Sequence, residues 1–209
     1  YSVVHNGIIH ILANSLFIYF STIIIFRFQK NITIYLVYFL SVVNGALSFN
    51  LTNPYDMLIG CSGGVYGLFG SNISNFILNN DIMYPEEKLF TYFILLLLFI
   101  IDLINYFLFF DDTIAYQVHY FSFLFGLLSG CIFFKTKKKK VYKKYITITC
   151  ICLYSYLNAF LIYHYIFNFP SSIYLDFFKL KKTEDCCFHN NQINSSCENV
   201  YTNDFTIYL

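Results

Sequence analysis

Six long apolar stretches dominate the sequence and limit what the chain can fold into. Each is about as long as the roughly 20 residues that a helix needs to cross the hydrocarbon core of a bilayer. The stretches cover residues 7–26, 33–50, 58–79, 89–110, 114–134 and 145–169. Hydrophobic residues make up 57% of the chain and charged residues only 12%, a balance that no soluble domain of this length needs for one core. The sequence therefore predicts a protein that crosses the lipid bilayer several times.

The apolar stretches are predicted to be helices rather than the strands of a barrel. An unpaired backbone amide in hydrocarbon costs several kcal/mol, so a spanning segment must satisfy its own amides as a helix or belong to a closed barrel. The stretches lack the alternation of apolar and polar residues that barrel strands show. We therefore predict an all-α membrane protein, a polytopic helical bundle with six spans.

Basic residues between the spans predict the orientation of the bundle. Arg27 and Lys30 follow the first span, and seven lysines lie within residues 135–144, between the fifth and sixth spans. Both connections are expected in the cytosol, because cytosolic loops are enriched in Lys and Arg. The loops at 51–57 and 111–113 then face the lumen or the cell exterior. The glycosylation sequons Asn50-Leu51-Thr52 and Asn194-Ser195-Ser196 then fall on the outward side, which predicts a multi-pass protein of the secretory pathway, in the Golgi, endosomes or plasma membrane.

Charge and cysteine content argue against several other functional classes. The formal net charge is +1, so the chain has no overall basic field and no nucleic-acid partner is predicted. The seven cysteines are scattered, without the paired spacing of a zinc site, and no metal site is predicted. Residues 171–209 contain three of these cysteines among polar and charged residues, and we interpret this segment as a small lumenal tail.

Four polar residues within the spans are predicted to lie at a similar depth in the outer leaflet. His10 and Asn14 share one helical face in the first span, because they are four residues apart. Ser62 and His119 each follow an outward-facing loop by a few residues, which places them within roughly 10 Å of the outer surface. A serine hydroxyl becomes a good nucleophile when an imidazole takes its proton. Asp102 is expected more than a turn from the outer end of the fourth span, so we predict a Ser–His dyad without an acidic third member.

Three ordered motifs resemble the rhomboid family of intramembrane serine proteases. Residues 60–68, which read GCSGGVYGL, resemble the Gly-x-Ser-Gly active-site segment of that family. The His10-x-x-x-Asn14 pattern in the preceding span resembles the polar second helix of rhomboids. His119 is followed at +3, +7 and +11 by positions where rhomboids favour small residues, which here are Ser122, Gly126 and Gly130. Ser122 is a departure, since the family usually has Gly there.

The resemblance implies a role for each matching residue. Ser62 would be the nucleophile and His119 the general base, whereas His10 and Asn14 would line the oxyanion hole. Tyr66 would pack against the His119 ring. The supporting residues that the resemblance implies are Gly60, Gly63, Tyr66 and Gly126. The implied activity is that of a serine endopeptidase, acting without a cofactor, that cuts single-pass membrane protein substrates near the lumenal end of their transmembrane helix.

The resemblance also implies a domain organisation. Residues 1–135 correspond to the catalytic core without its first helix, and residues 136–170 to a lysine-rich cytosolic loop and an extra C-terminal transmembrane helix. Residues 171–209 form the lumenal or extracellular tail. The family's first helix is followed by a loop that carries Trp and Arg, and the chain has no Trp. We therefore expect the chain to be part of a longer protein and, by itself, to fold poorly or be inactive.

Two other functions stay open at this point. The first is a catalytically inactive rhomboid-like protein that binds transmembrane helices without cutting them, which an intact Ser62 and His119 disfavour. The second is a channel or transporter, for which polar residues would form a path through both leaflets. Asn75, Asp102 and Asn105 are the polar residues that would extend such a path towards the cytosol.

Overall fold

Six α-helices make up most of the part of the chain that the structure describes. The structure is a computed structural model, and it describes residues 7–52, 57–58, 60–109, 115–138, 141–167 and 207–208. The helices are α1 (Ile8–Phe28), α2 (Asn31–Thr52), α3 (Ser62–Asn79), α4 (Pro85–Ile104), α5 (Tyr116–Phe133) and α6 (Val141–Phe167). The prediction of an all-α helical membrane bundle is therefore confirmed.

Four short elements accompany the six helices in the described part of the chain. A 3-10 turn, Asn80–Ile82, follows α3, and a turn of π-helix, Asn105–Phe109, follows α4. Two strands of two residues each, β1 (Met57–Leu58) and β2 (Ile207–Tyr208), pair in parallel. All but two residues of the predicted tail at 171–209 lie outside the described part of the chain.

The starts of α3 and α4 each differ from the predicted spans by four residues, and each difference has a local reason. α3 begins at Ser62 rather than at residue 58, because Gly60 adopts a left-handed backbone angle (φ 107°) that a helix cannot include. α4 begins at Pro85, four residues before the predicted start. Its first turn is stabilised by Glu87, whose carboxylate accepts a 2.8 Å hydrogen bond from the Tyr84 amide.

The helices differ in how much of their surface the protein itself covers. Five of them, all except α3, are long and apolar enough to cross a membrane. α4 and α6 leave most of their large apolar side chains exposed, as expected of helices that face lipid. α3 contains several Gly, Ser and Asn residues, and 14 of its 18 residues are buried by the helices around it. Because α3 faces protein on nearly all sides, it lies in the bundle centre without needing an apolar surface.

Small residues bring α3 and α5 into backbone contact. A Cβ atom on Gly126 would overlap the backbone of Gly67, and one on Gly70 would overlap the carbonyl of Phe123. Gly130 similarly faces Ser74 across the interface. Helices in a membrane pack through close van der Waals contact, which glycine permits because it has no side chain. The first turns of α3 and α5 are thereby held close together.

A network of buried amides joins the ends of α1, α3 and α5 at one end of the bundle. Gln29 donates hydrogen bonds to the Asn75 side chain and the Lys135 carbonyl, both 3.1 Å long, and it accepts one from the Lys135 amide. Asn79 accepts a 2.9 Å bond from the Lys137 amide. We call this the basic end, because Arg27 and the lysines within residues 135–138 and 143–144 lie beside it. The starts of α1, α3 and α5 lie at the opposite end.

Lys143 attaches α6 to the basic end, and its removal should destabilise the bundle. The side chain is 3% exposed, and its Nζ donates to the Leu78 carbonyl (2.5 Å) and to Oδ2 of Asp81 (2.9 Å). Loss of one partner from a buried ion pair is strongly destabilising, and the 20% exposure of Asp81 moderates the effect. We expect Lys143→Met to lower the free energy of unfolding by about 2–3 kcal/mol.

The measurement is unfolding in detergent micelles, followed by circular dichroism. Lys144→Met is the matched control, because Lys144 is the next residue and is exposed to solvent. Equal free energies of unfolding for the two variants would contradict the proposal that Lys143 attaches α6 to the bundle.

Candidate active site

Ser62, the predicted nucleophile, is the first residue of α3 and is partly exposed. The Val65 amide donates a 3.2 Å hydrogen bond to the Cys61 carbonyl, which closes the first turn of the helix. The amides of Ser62, Gly63 and Gly64 precede this bond, and a helix leaves such amides without intrahelical acceptors. The same helix end carries a partial positive charge. The Ser62 hydroxyl therefore lies beside backbone donors suited to a developing negative charge.

His119, the predicted general base, lies in the first turn of α5 and is buried. Its ring stacks on the ring of Tyr66, with a centroid distance of 3.9 Å and an interplanar angle of 7°. Tyr66 is four residues after Ser62, so the two residues share one face of α3. The imidazole therefore packs against the face of α3 that carries the Ser62 hydroxyl, in the contact that the family resemblance implies.

No hydrogen bond joins the two predicted catalytic side chains. Both nitrogens of His119 are buried, and neither has a hydrogen-bond partner among the residues that the structure describes. Catalytic hydrogen bonds are often long or misaligned when no substrate is present and shorten in the complex with substrate. The arrangement is one in which Ser62 and His119 share a helix interface without being bonded to each other.

His10 lies against the backbone immediately before Ser62. A Cβ atom on Gly60 would be 2.8 Å from Cε1 and 3.0 Å from Nε2 of the His10 ring. Glycine is therefore required at residue 60 for two reasons, its left-handed backbone angle and the close approach of the imidazole. His10 is also near enough to His119 for the two rings to interact electrostatically. α1 thus contributes an imidazole to the same end of the bundle as Ser62 and His119.

Asn14 lies one turn after His10 and is buried at 6% exposure. Its Nδ2 group has no hydrogen-bond acceptor among the residues that the structure describes. A buried amide that lacks an acceptor is destabilising by about 1–3 kcal/mol, so such groups are uncommon unless a ligand uses them. The spacing from His10 places this donor on the same face of α1.

Asp102, which was not predicted to be part of the site, lies beside it. Its Oδ1 accepts a 2.5 Å hydrogen bond from the Tyr66 hydroxyl and lies 3.9 Å from Nδ1 of His119. The predicted span ran to residue 110, which placed Asp102 well below the site. The structure instead brings Asp102 beside Tyr66 and His119, and the α-helix that carries it ends two residues later, at Ile104.

The departure at Ser122 is accommodated by a glycine on another helix. Ser122 is fully buried, and a Cβ atom on Gly45 of α2 would lie 3.1 Å from the Ser122 Cβ and overlap its hydroxyl. The absent side chain at Gly45 therefore provides the space that the larger residue on α5 occupies. No group of three or more His, Cys, Asp or Glu residues in the described ranges is arranged to hold a metal ion.

Comparison with known proteins identifies the family. Residues 1–136, about two thirds of the chain, match the Rhomboid domain. The chain belongs to the rhomboid family. Mouse Rhomboid-related protein 2 is 32% identical to it over 103 residues, which cover 49% of this chain and 34% of the mouse protein. The match thus covers about a third of the relative's length, and the family predicted from the motifs is confirmed.

Proposed function

We propose that this rhomboid chain contains the catalytic core of an intramembrane serine endopeptidase. The observation that carries the proposal is the stacking of His119 on Tyr66, one turn after Ser62 and on the same face of α3. A hydroxyl and an imidazole on facing helices are the minimum set for acyl transfer by a serine enzyme. Family membership supports the same assignment, since most rhomboids are serine proteases.

In the proposed reaction, the Ser62 hydroxyl attacks the carbonyl carbon of the scissile peptide bond while Nε2 of His119 accepts its proton. The tetrahedral intermediate collapses as the resulting imidazolium gives that proton to the leaving amine, and an acyl-enzyme remains on Ser62. Water then attacks the ester, again with His119 as the base, and releases the new carboxylate. Each proton that His119 takes is returned, so no cofactor is needed.

Asn14 would donate to the oxyanion of the tetrahedral intermediate, together with His10 and the amides at the start of α3. Replacement of Asn14 by Leu keeps the approximate volume and removes the amide, so we expect kcat to fall about a hundredfold with little change in stability. The matched control is Asn44→Leu, because Asn44 is a buried amide on α2 that is already bonded to Tyr154 at 3.1 Å. Equal kcat values for the two variants, per folded molecule, would exclude the oxyanion role.

The substrates we propose are single-pass membrane proteins, cut near the lumenal end of their transmembrane helix. The amides of an intact helix are bonded internally, so a segment with weak helix propensity presents its carbonyl groups more readily. The lysine-rich basic end would face the cytosol, which puts the site at the lumenal side of a secretory-pathway membrane. The partners are then these substrates and the lipid bilayer.

A fluorophosphonate probe tests the proposed function directly, because it reacts with an activated serine. The natural protein is reconstituted in lipid vesicles and exposed to the probe, with Ser62→Ala as the control. We expect labelling of the natural protein and none of Ser62→Ala. A folded sample that stays unlabelled would disprove the enzymatic assignment.

One observation favours a second function, a rhomboid-like protein that binds transmembrane helices without cutting them. In the described structure no hydrogen bond joins His119 to Ser62, as would also be the case in an inactive relative. The same probe separates the two functions. A channel has less support, because Asn75 and Asp102, two of the polar residues that would extend its path, are bonded to neighbouring side chains.

A further inference from the structure

A carboxylate on α4 lies beside the imidazole and the tyrosine that supports it. Oδ1 of Asp102 accepts the 2.5 Å hydrogen bond from the Tyr66 hydroxyl, and the same oxygen is 3.9 Å from Nδ1 of His119. The side chains of Asp102 and His119 are only 12% and 7% exposed. Carboxylates are seldom placed in a membrane helix without a function, because their desolvation is costly. These contacts form a three-residue cluster of Asp102, Tyr66 and His119.

We propose that Asp102 is a positioning residue for His119, an inference that rests on the function proposed above. The Tyr66 ring is fixed at two points, by the stacked imidazole on its face and by the carboxylate at its hydroxyl. The Tyr66 ring therefore restricts translation and tilting of the imidazole that packs on it. Because Nδ1 is on the side of the carboxylate, Nε2 is turned away from Asp102 and is left for the Ser62 proton.

The charge of Asp102 has a second effect during the reaction. His119 becomes an imidazolium when it accepts the Ser62 proton, and a carboxylate near Nδ1 stabilises that cation in surroundings that contain little water. Two other groups face the ring. Tyr116 approaches edge-on with a centroid distance of 6.2 Å, and His10 is close enough to interact electrostatically. Neither is an anion, so in the described structure Asp102 supplies the negative charge beside His119.

The first test is the kinetics of Asp102→Asn in the full-length protein, reconstituted in vesicles with a single-pass substrate. The asparagine still accepts a hydrogen bond from Tyr66 but has no charge. We expect kcat to fall about tenfold to a hundredfold, while KM stays within about twofold. Asp102→Glu should reverse at least half of the decrease in log kcat, since it restores the carboxylate.

Tyr66→Phe tests the support separately, because it keeps the stacked ring and removes the hydroxyl. If Asp102 and Tyr66 act on His119 as a unit, the double variant should be no more than about threefold slower than Asp102→Asn alone. Asp81→Asn is the matched control, since Asp81 pairs with Lys143 at the basic end. Wild-type kcat in Asp102→Asn, or a loss equal to that in Asp81→Asn, would overturn the inference.

A second measurement does not depend on turnover. Nitrogen-15 NMR of the histidines, with the His119 signals assigned from a His119→Phe sample, reports which ring nitrogen carries the proton. We expect the Nδ1-protonated form in the wild type and a shift towards the Nε2-protonated form in Asp102→Asn. Identical His119 spectra would overturn the inference even if the protein is inactive. Absence of both cleavage and probe labelling in the wild type would instead disprove the proposed enzyme.

Discussion

His119→Phe should abolish proteolysis without unfolding the protein. Phenylalanine keeps an aromatic ring in the stack on Tyr66 and removes both nitrogens. Neither nitrogen has a hydrogen-bond partner among the described residues, so their removal breaks no bond there and relieves the cost of burying two polar atoms. We expect activity to fall by about a thousandfold or more, with equal or slightly higher stability.

The measurement is substrate cleavage in vesicles together with the unfolding transition of the same samples. A double variant with Ser62→Ala provides the decisive comparison. Residues that act in one catalytic unit are strongly non-additive, so the double variant should be no slower than the slower single variant. If His119→Phe retained more than about a tenth of the wild-type rate, His119 could not be the general base.

Much of this site could be predicted because the depth of a residue in the membrane follows from its position along a helix. Counting residues from the end of each span puts His10, Ser62 and His119 at one depth, and the structure brings the starts of α1, α3 and α5 to the same end of the bundle. Depth follows from the rise of about 1.5 Å per residue, which hardly depends on the neighbouring helices. The central position of α3 was not predicted, and it is the structure that shows its polar residues covered by the surrounding helices.

The contacts that the sequence could not predict depend on how helices rotate and meet. Whether Asp102 points at Tyr66 or at lipid is decided by the rotation of α4 about its own axis, and apolar residues on nearly every face of α4 give no signal for that rotation. The space for Ser122 comes from Gly45, which belongs to another helix and to no recognisable motif. Contacts between residues of different helices can be identified only once the relative positions of the two helices are known.

Gly126→Ala should have the largest effect on the structure, because its added methyl group would meet backbone rather than a movable side chain. The new Cβ would overlap the Gly67 carbonyl and Cα, and Gly67 has no side chain that could move away. α3 and α5 must then separate. Overpacking a core usually costs about 1–3 kcal/mol, and we expect the upper end of that range or more. Displacement of His119 from Ser62 should also slow cleavage about a hundredfold per folded molecule.

The control is Leu124→Phe, which adds a larger group to the same helix at a position that is 37% exposed. It should leave both the unfolding transition and the cleavage rate near the wild-type values. If Gly126→Ala behaved like this control, α3 and α5 could not be in backbone contact at Gly67. The close approach of the helices that carry Ser62 and His119 would then be wrong, and the proposed dyad would lose its geometric basis.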